Sequence, residues 1–542
     1  MSKAMSITKK PIIWTISGSD CSGGAGIAAD IKTGHGLGVE VCHLITANTV
    51  QNSQQLMSVN PVAVDILQQQ VAVLISDKPP AVIKIGLLAT LAQVQWLKST
   101  LTQLKQQLPK LIVVYDPVGQ ASVGGSFNAF SLNDLTPLLQ QIDVITPNLM
   151  EAKSLVATAL PTQNSAELLA KSIYQNFAIN SIIIKGGHSD DSKQCFDFCY
   201  HQLNQLNDEK QDNQDKNHQA ISYQLSSKRL ASNYSHGGGC SFATALASFL
   251  ALGYLVRDAF TLAKAFINQG LTATQQVSTA QQHKYYGAFE QLAWPHSVAG
   301  STNNFPHVID EVNQKNQNLS AFKSLNLSAD KLGLYPVIDS LYWLQRLLPL
   351  GLNIIQLRVK NAPLAELEQT IKEAIELAKD YNCRLFINDH WQLAIKHGAY
   401  GVHIGQEDLA DADLAKIQQA GLRLGISTHG CYEFLLAQQL QPSYLAVGAI
   451  FPTKTKDMTG QIQGIENLRQ LLALRSKIRT RQLSDHNDDT YIPVVAIGGI
   501  NLKKASLVLE TGVDSIAVVT AITEATHPEL AVAKLKQLIS LV

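Results

Sequence analysis

The chain has 542 residues, 46% hydrophobic, 16% charged and 6% aromatic, with 43 basic and 43 acidic side chains and no formal net charge. At ~100–200 residues per domain this length holds more than one core, which excludes a single-domain reading. The balanced charge offers no basic face, so neither nucleic acid nor a membrane surface is an expected partner. The apolar run near the start is about six residues, too short for a secretion signal. The seven cysteines are scattered, without metal or redox spacing, so the expected compartment is the reducing cytoplasm.

In chain order, short Ile- and Val-rich runs alternate with helix-length segments, the pattern of α/β architecture. Residues 12–16 read as a strand entering the glycine-rich turn SGSDCSGGAG (17–26), with Asp30 one turn into the following helix. Asp116 ends the strand 111–115, Glu151 follows the strand 142–145, and Lys185 ends the strand 181–184. Two carboxylates at strand ends suit hydrated magnesium, and the lysine suits nucleotide phosphate. Residues 204–219 are almost devoid of apolar side chains and read as a solvated loop. His236 then opens Gly237-Gly238-Gly239-Cys240, directly before an apolar run over 242–256 that reads as a buried helix. Consecutive glycine N–H groups at a helix N-terminus make an anion hole for a transferred phosphoryl group. Cys240 at that positive end is expected to have a lowered pKa and to act as a base. The alternative for Cys240 is a structural cysteine beside a flexible turn.

Residues 296–328, rich in Asn and Ser, read as a linker between a first domain over 1–295 and a second over 329–542. The second contains eight strand candidates, at 334–338, 353–357, 384–387, 401–404, 423–426, 444–447, 494–497 and 515–518. Eight strands alternating with helices predict a (β/α)8 barrel with its site at the carboxyl ends of the strands. Arg358 and Lys360 are alternate residues and present two cations to one anion. Asp389 and Asp408 end successive strands and can share one Mg²⁺. Thr453 and Thr455 with Lys454 and Lys456, then Gly499, then Val519 with Thr520, lie after later strands, where barrels bind a monophosphate. A diphosphate and a monophosphate together imply two joined substrates. The polar insert at 478–490 is expected to lie away from this site.

The motifs GSDCSGGAGIAADIKT (18–33), TPNLMEA (146–152), KGGH (185–188) and HGGGC (236–240) resemble the ribokinase-like hydroxymethylpyrimidine/phosphomethylpyrimidine kinases over residues 11–290. That resemblance implies a ribokinase-like α/β domain using ATP and Mg²⁺ to phosphorylate the pyrimidine alcohol and then its monophosphate. It assigns the pyrimidine to Gly18, Asp30 and Gln51, the nucleotide to Lys185, and the anion hole and base to Gly237 through Cys240. Gly238 replaces the family's usual Thr, Leu87 its usual Met, and Gly119-Gln120 apolar residues. QLRVK (356–360), HIGQEDL (403–409), GISTH (425–429), PTKTK (452–456), AIGGI (496–500) and SIAVVTAI (515–522) resemble thiamine-phosphate synthase. By that resemblance Gln356, Arg358, Lys360, Asn388, Ser427 and Lys456 bind a pyrimidine diphosphate. Asp389 and Asp408 bind Mg²⁺, and Thr453, Thr455, Gly499, Val519 and Thr520 bind thiazole phosphate. Pyridoxal kinase for the first half, a thiazole tautomerase for the second and a ligand-sensing module for either remain alternatives. The expected ligands are these small molecules, with a homo-oligomer left open.

Overall fold

A computed structural model describes residues 9–52, 55–118, 130–156, 165–187, 193–203, 220–230, 236–281, 290–294, 304–325, 332–360, 362–453, 462–482 and 491–541. The chain divides into two compact units, Met1–Val308 and Ile309–Val542.

The first unit is built on a ten-stranded sheet. Its strands are β1 (Ile12–Asp20), β2 (Glu40–Gln51), β3 (Leu56–Pro61), β4 (Val82–Ile85), β5 (Ile112–Tyr115), β6 (Val144–Ile145), β7 (Ser181–Ile184), β8 (Gln194–Gln202), β9 (Ala220–Lys228) and β10 (His307–Ile309). They lie in the order β10-β9-β8-β7-β6-β5-β4-β1-β2-β3. The central strands from β7 through β2 are parallel, with antiparallel β8 and β9 at one side and β3 at the other. Central strands such as β4 and β7 are buried along their whole length, as strands covered on both faces of a parallel sheet are, with Lys84 of β4 buried among them. Strand order reverses around β1, between β4 and β2, and the carboxyl ends beside such a reversal are where open α/β sheets bind ligands. The helix Gly238–Ala251 is buried from Ser241 to Leu250 and packs on β1, β4 and β5. The apolar run thus divides into this helix and the start of the next, Val256–Gln281.

The second unit is a closed barrel of eight parallel strands: β11 (Gly333–Ile338), β12 (Ile354–Leu357), β13 (Arg384–Asn388), β14 (Gly401–Ile404), β15 (Arg423–Thr428), β16 (Tyr444–Val447), β17 (Val494–Ile497) and β18 (Ser515–Val518). Each lies within two residues of its expected position. Its interior is filled by Tyr335, Val337, Ile354, Phe386, Tyr444, Ala446, Val495 and Ala517. Large rings fit because glycine faces them. A Cβ on Gly401 would meet Phe386 Cε1 at 2.5 Å, and one on Gly425 would meet Tyr444 Cζ at 2.2 Å.

The tract read as a linker has structure among its described residues. β10 adds to the sheet of the first unit, with Val308 buried, and Asn304 accepts a hydrogen bond from Asn268. Further on, Phe322 and Leu325 are buried, and Leu325 joins the barrel core. A tract with few apolar residues can still be held when each of them lands on a core. The expected insert at 478–490 also differs at its start, because the helix Gly464–Gln482 continues into it. The loop at 204–219 lies outside the described residues. Among those residues no helix is long and apolar enough to cross a membrane.

Candidate functional sites

In the first unit, two glycine-rich segments meet. Gly237 has φ 80°, and a Cβ there would sit 1.8 Å from the carbonyl oxygen of Gly24. Gly26, at φ 56°, would collide with the Gly18 carbonyl in the same way. Asp20 joins the two segments. Its carboxylate accepts from the backbone N–H of Ser22 (2.8 Å), Gly24 (3.2 Å) and Ala25 (2.9 Å) and pairs with His236 Nε2 at 2.9 Å. Burial pushes the Asp20 pKa up, but His236 and Ser22 outweigh it and hold the group well below the usual carboxylate range.

Beside that junction, Lys185 Nζ lies 2.7 Å from Asp116 Oδ1, and Thr146 donates to the same oxygen at 3.3 Å. A Cβ on Gly239 would be 3.4 Å from Lys185 Nζ and 3.7 Å from Asp116 Oδ2, so the glycine segment expected to form the anion hole lies directly on this pair. Asp116 therefore holds Lys185, while a Glu151 oxygen accepts from the Asn148 N–H at 2.7 Å. A magnesium ion at these carboxylates would share them with partners they already have. Cys240 corrects its expected acidity: burial pushes the thiol up to about 11, and Lys84 only partly offsets it. The helix N-terminus does not compensate for loss of solvent around the thiolate.

Asp30 is the acidic residue expected at the pyrimidine. It is fully buried and accepts from Lys84 (2.9 and 3.0 Å), Thr244 (2.7 Å) and Thr15. Its oxygens are occupied by structural partners, which leaves it holding Lys84 near Cys240. Gly18 is buried at the end of β1, where a Cβ would meet Leu87 Cδ2 at 2.8 Å. Gln51 ends β2 with its side-chain oxygen buried and without a hydrogen-bond partner among the described residues. Gly119 and Gln120 lie outside the described residues.

In the barrel, Asp389 follows β13 with φ 61°, a left-handed conformation rarely adopted by non-glycine residues. Burial and the charge of Asp408 push its pKa up to about 6, with Arg358 pulling the other way. Two carboxylates that repel each other beside an arginine form a donor set that a cation would relieve. Among the described residues no group of three or more His, Cys, Asp or Glu could hold a metal. Two carboxylates still fit Mg²⁺, which usually keeps waters and substrate phosphates as its other ligands. Asn388 is buried and donates to Asp389. Lys360 is exposed at the barrel end and Arg358 half-buried. Gln356 and Ser427 meet a polar chain inside the barrel: Gln356 Nε2 donates to Tyr335 OH at 3.3 Å, and Ser427 Oγ lies 2.8 Å from His403 Nε2.

On the other side, Gly498 and Gly499 have φ 102° and 60° and hug the loop after β16; a Cβ on Gly499 would meet the Pro452 carbonyl at 2.5 Å. Thr453 lies in that loop, and Val519 precedes the short helix Thr520–Thr523. This is the strand-seven and strand-eight geometry of barrel phosphate sites. Thr455 and Lys456 lie outside the described residues.

The comparisons match each half to one family. The thiamine monophosphate synthase family model matches residues 334–522, and a thiamine-phosphate synthase of Yersinia pseudotuberculosis is 56% identical over 209 residues, 39% of this chain and 91% of that protein. The chain belongs to the thiamine-phosphate synthase family. The phosphomethylpyrimidine kinase family model matches residues 20–285, so the family's barrel is joined here to a kinase domain, making a bifunctional transferase of thiamine biosynthesis. Among solved structures, the pyridoxal kinase of Staphylococcus aureus with ADP is 26% identical, covering 53% of this chain and 96% of its own at a TM-score of 0.43. The phosphomethylpyrimidine kinase of Clostridium difficile 630 is likewise 26% identical, covering 48% and 99% at a TM-score of 0.38.

Sequence reasoning missed Asp20, Lys84, Tyr335, His403 and Tyr444. Asp20 lies within a motif, and His403 opens another, yet neither motif states what its side chain touches. Lys84, Tyr335 and Tyr444 sit inside ordinary-looking apolar strands, where a polar residue is the available signal.

Proposed function

We propose that the chain carries out three successive transfers: phosphorylation of 4-amino-5-hydroxymethyl-2-methylpyrimidine, phosphorylation of that product to the diphosphate, and coupling of the diphosphate to thiazole phosphate. The observation that carries this is the Asp389–Asp408 pair beside Arg358, a diphosphate site on the same chain as a glycine cradle suited to making one.

In the kinase unit Gly18 and Gln51 border the pyrimidine, with the Gln51 oxygen accepting from its amino group. The N–H groups from Gly237 to Gly239 and the Lys185 ammonium neutralise charge on the transferred phosphoryl group. Cys240 accepts the proton of the attacking hydroxyl. ATP is the co-substrate, and Asp116 with Glu151 would be the carboxylates that hold its magnesium.

In the barrel, Arg358 and Lys360 stabilise the departing diphosphate, and Asn388 orients Asp389. Asp389 and Asp408 would hold magnesium, whose charge would stabilise the leaving diphosphate. Gln356 and Ser427 hold the pyrimidine, while Thr453, Gly499, Val519 and Thr520 hold the thiazole phosphate so that its ring nitrogen meets the electron-poor methylene. The test is incubation of the purified chain with ATP, Mg²⁺, hydroxymethylpyrimidine and thiazole phosphate. Mass spectrometry is expected to find monophosphate, diphosphate and thiamine phosphate appearing in that order. Absence of ATP-dependent products, or failure to couple supplied diphosphate, overturns the reading for the corresponding unit.

A further inference from the structure

The barrel core contains a continuous polar chain in a place usually filled by apolar layers. Gln356 Nε2 lies 3.3 Å from Tyr335 OH, Tyr335 OH 2.7 Å from Tyr444 OH, Tyr444 OH 2.7 Å from His403 Nδ1, and His403 Nε2 2.8 Å from Ser427 Oγ. Tyr335, Tyr444, His403 and Gln356 are all buried. The two ends of the chain are the residues assigned above to the pyrimidine.

Each hydroxyl has one hydrogen and a neutral imidazole has one, so the chain has few self-consistent states. With the Gln356 amide nitrogen toward Tyr335, protons run one way: Gln356 to Tyr335, Tyr335 to Tyr444, Tyr444 to His403 Nδ1, and His403 Nε2–H to Ser427. This direction leaves the Gln356 carbonyl oxygen available to accept and the Ser427 hydroxyl available to donate. A break in direction leaves a buried O–H without an acceptor or sets two lone pairs against each other, both costly. Full reversal requires turning the amide, rotating the hydroxyls and moving the histidine proton to the other nitrogen together.

We propose that Tyr335, Tyr444 and His403 are positioning residues that select an aminopyrimidine, by holding Gln356 as an acceptor and Ser427 as a donor. This rests on the reading that Gln356 and Ser427 hold the pyrimidine. The amidine edge of a 4-aminopyrimidine presents an N–H donor beside a ring-nitrogen acceptor, complementary to those ends. The 4-oxo form presents the opposite pair and would demand reversal of the whole chain. A site wired for one pattern rejects the other because its buried groups are left unpaired.

The experiment compares kcat/KM of the full chain for the 4-amino and 4-oxo pyrimidine diphosphates, at saturating thiazole phosphate, in wild type, Tyr444→Phe and Tyr335→Phe. Either substitution cuts the chain and is expected to narrow the preference for the amino form by roughly tenfold, the scale of one hydrogen bond, chiefly through KM. Equal losses for both substrates, with the preference intact, mean a structural role only and overturn the proposal. A third measurement uses the unmodified chain, so it holds even if neither variant folds. ¹⁵N NMR of the histidine rings is expected to show His403 protonated on Nε2, and protonation on Nδ1 overturns the assigned direction. Ser427→Ala separates the two layers of inference. If it leaves KM for the aminopyrimidine diphosphate unchanged, the placement of the pyrimidine fails, whereas a raised KM with an unaltered Tyr444→Phe preference rejects the relay alone.

Discussion

At Cys240 the sequence and the fold pull in opposite directions. A helix N-terminus favours a thiolate, but burial sets the thiol pKa near 11 and keeps the proton on sulfur at neutral pH. A base with a raised pKa gains its active form as pH rises. Phosphorylation at saturating ATP is therefore expected to rise about tenfold per unit over roughly pH 7 to 9, and Cys240→Ala to lose ~10²–10⁴ in rate together with that slope. A flat profile in the wild type removes Cys240 as the base. At Asp389 the direction is the same at lower pH, because a carboxyl raised to about 6 is protonated below that pH and then offers no negative charge to a cation. The Mg²⁺ concentration for half-maximal coupling is expected to climb as pH falls through 6, and Asp389→Ala to abolish coupling while the pyrimidine diphosphate accumulates. Unchanged thiamine phosphate output from Asp389→Ala would take the carboxylate pair out of the mechanism.

At the scale of elements, adjacent glycines of one motif have different duties. Gly237 starts the helix Gly238–Ala251 in the left-handed region and leaves no room for a Cβ against Gly24. Gly238 is helical, and a Cβ there meets nothing within 4 Å. Gly237→Ala is therefore expected to separate the two glycine segments and lose most kinase activity, while Gly238→Thr folds and phosphorylates at least as well as wild type. Steady-state ATP turnover of both variants decides this; equal damage from both would mean that the segment tolerates no side chain anywhere. The motif HGGGC was legible from its glycines as a segment expected to form an anion hole, but not which glycine is obligatory. That depends on a carbonyl contributed from more than 200 residues away, for which no local pattern exists.

At the scale of the molecule, the boundary between units matters for how each can be made alone. Arg384 Nε and Tyr400 OH donate to the Leu325 carbonyl, Arg423 Nε to that of Ser324 and Ser443 Oγ to that of Lys323. A fragment starting at 329 would strip these partners and the buried Leu325 from the barrel, whereas one starting at 309 retains them. The 309–542 fragment is expected to couple supplied diphosphate and to have the higher midpoint in urea; equal midpoints would show that 309–328 adds nothing to the barrel. By the same logic, 1–308 is expected to make the pyrimidine diphosphate and to be more soluble than 1–295, which lacks Val308 and the Asn304 contact.

The sequence alone determined the α/β class and the eight barrel strands, and it singled out Arg358, Asp389, Asp408, Lys185 and Cys240 as candidates. Strand period and glycine placement are local, so they survive without coordinates. Tertiary structure decided what those residues touch. Asp30 became the partner of Lys84, and Asp116 the partner of Lys185. Burial raised the Cys240 pKa, and five barrel residues joined into one hydrogen-bonded chain. Desolvation and hydrogen-bond pairing depend on neighbours brought from distant strands, and that proximity exists only after the sheet and the barrel have closed.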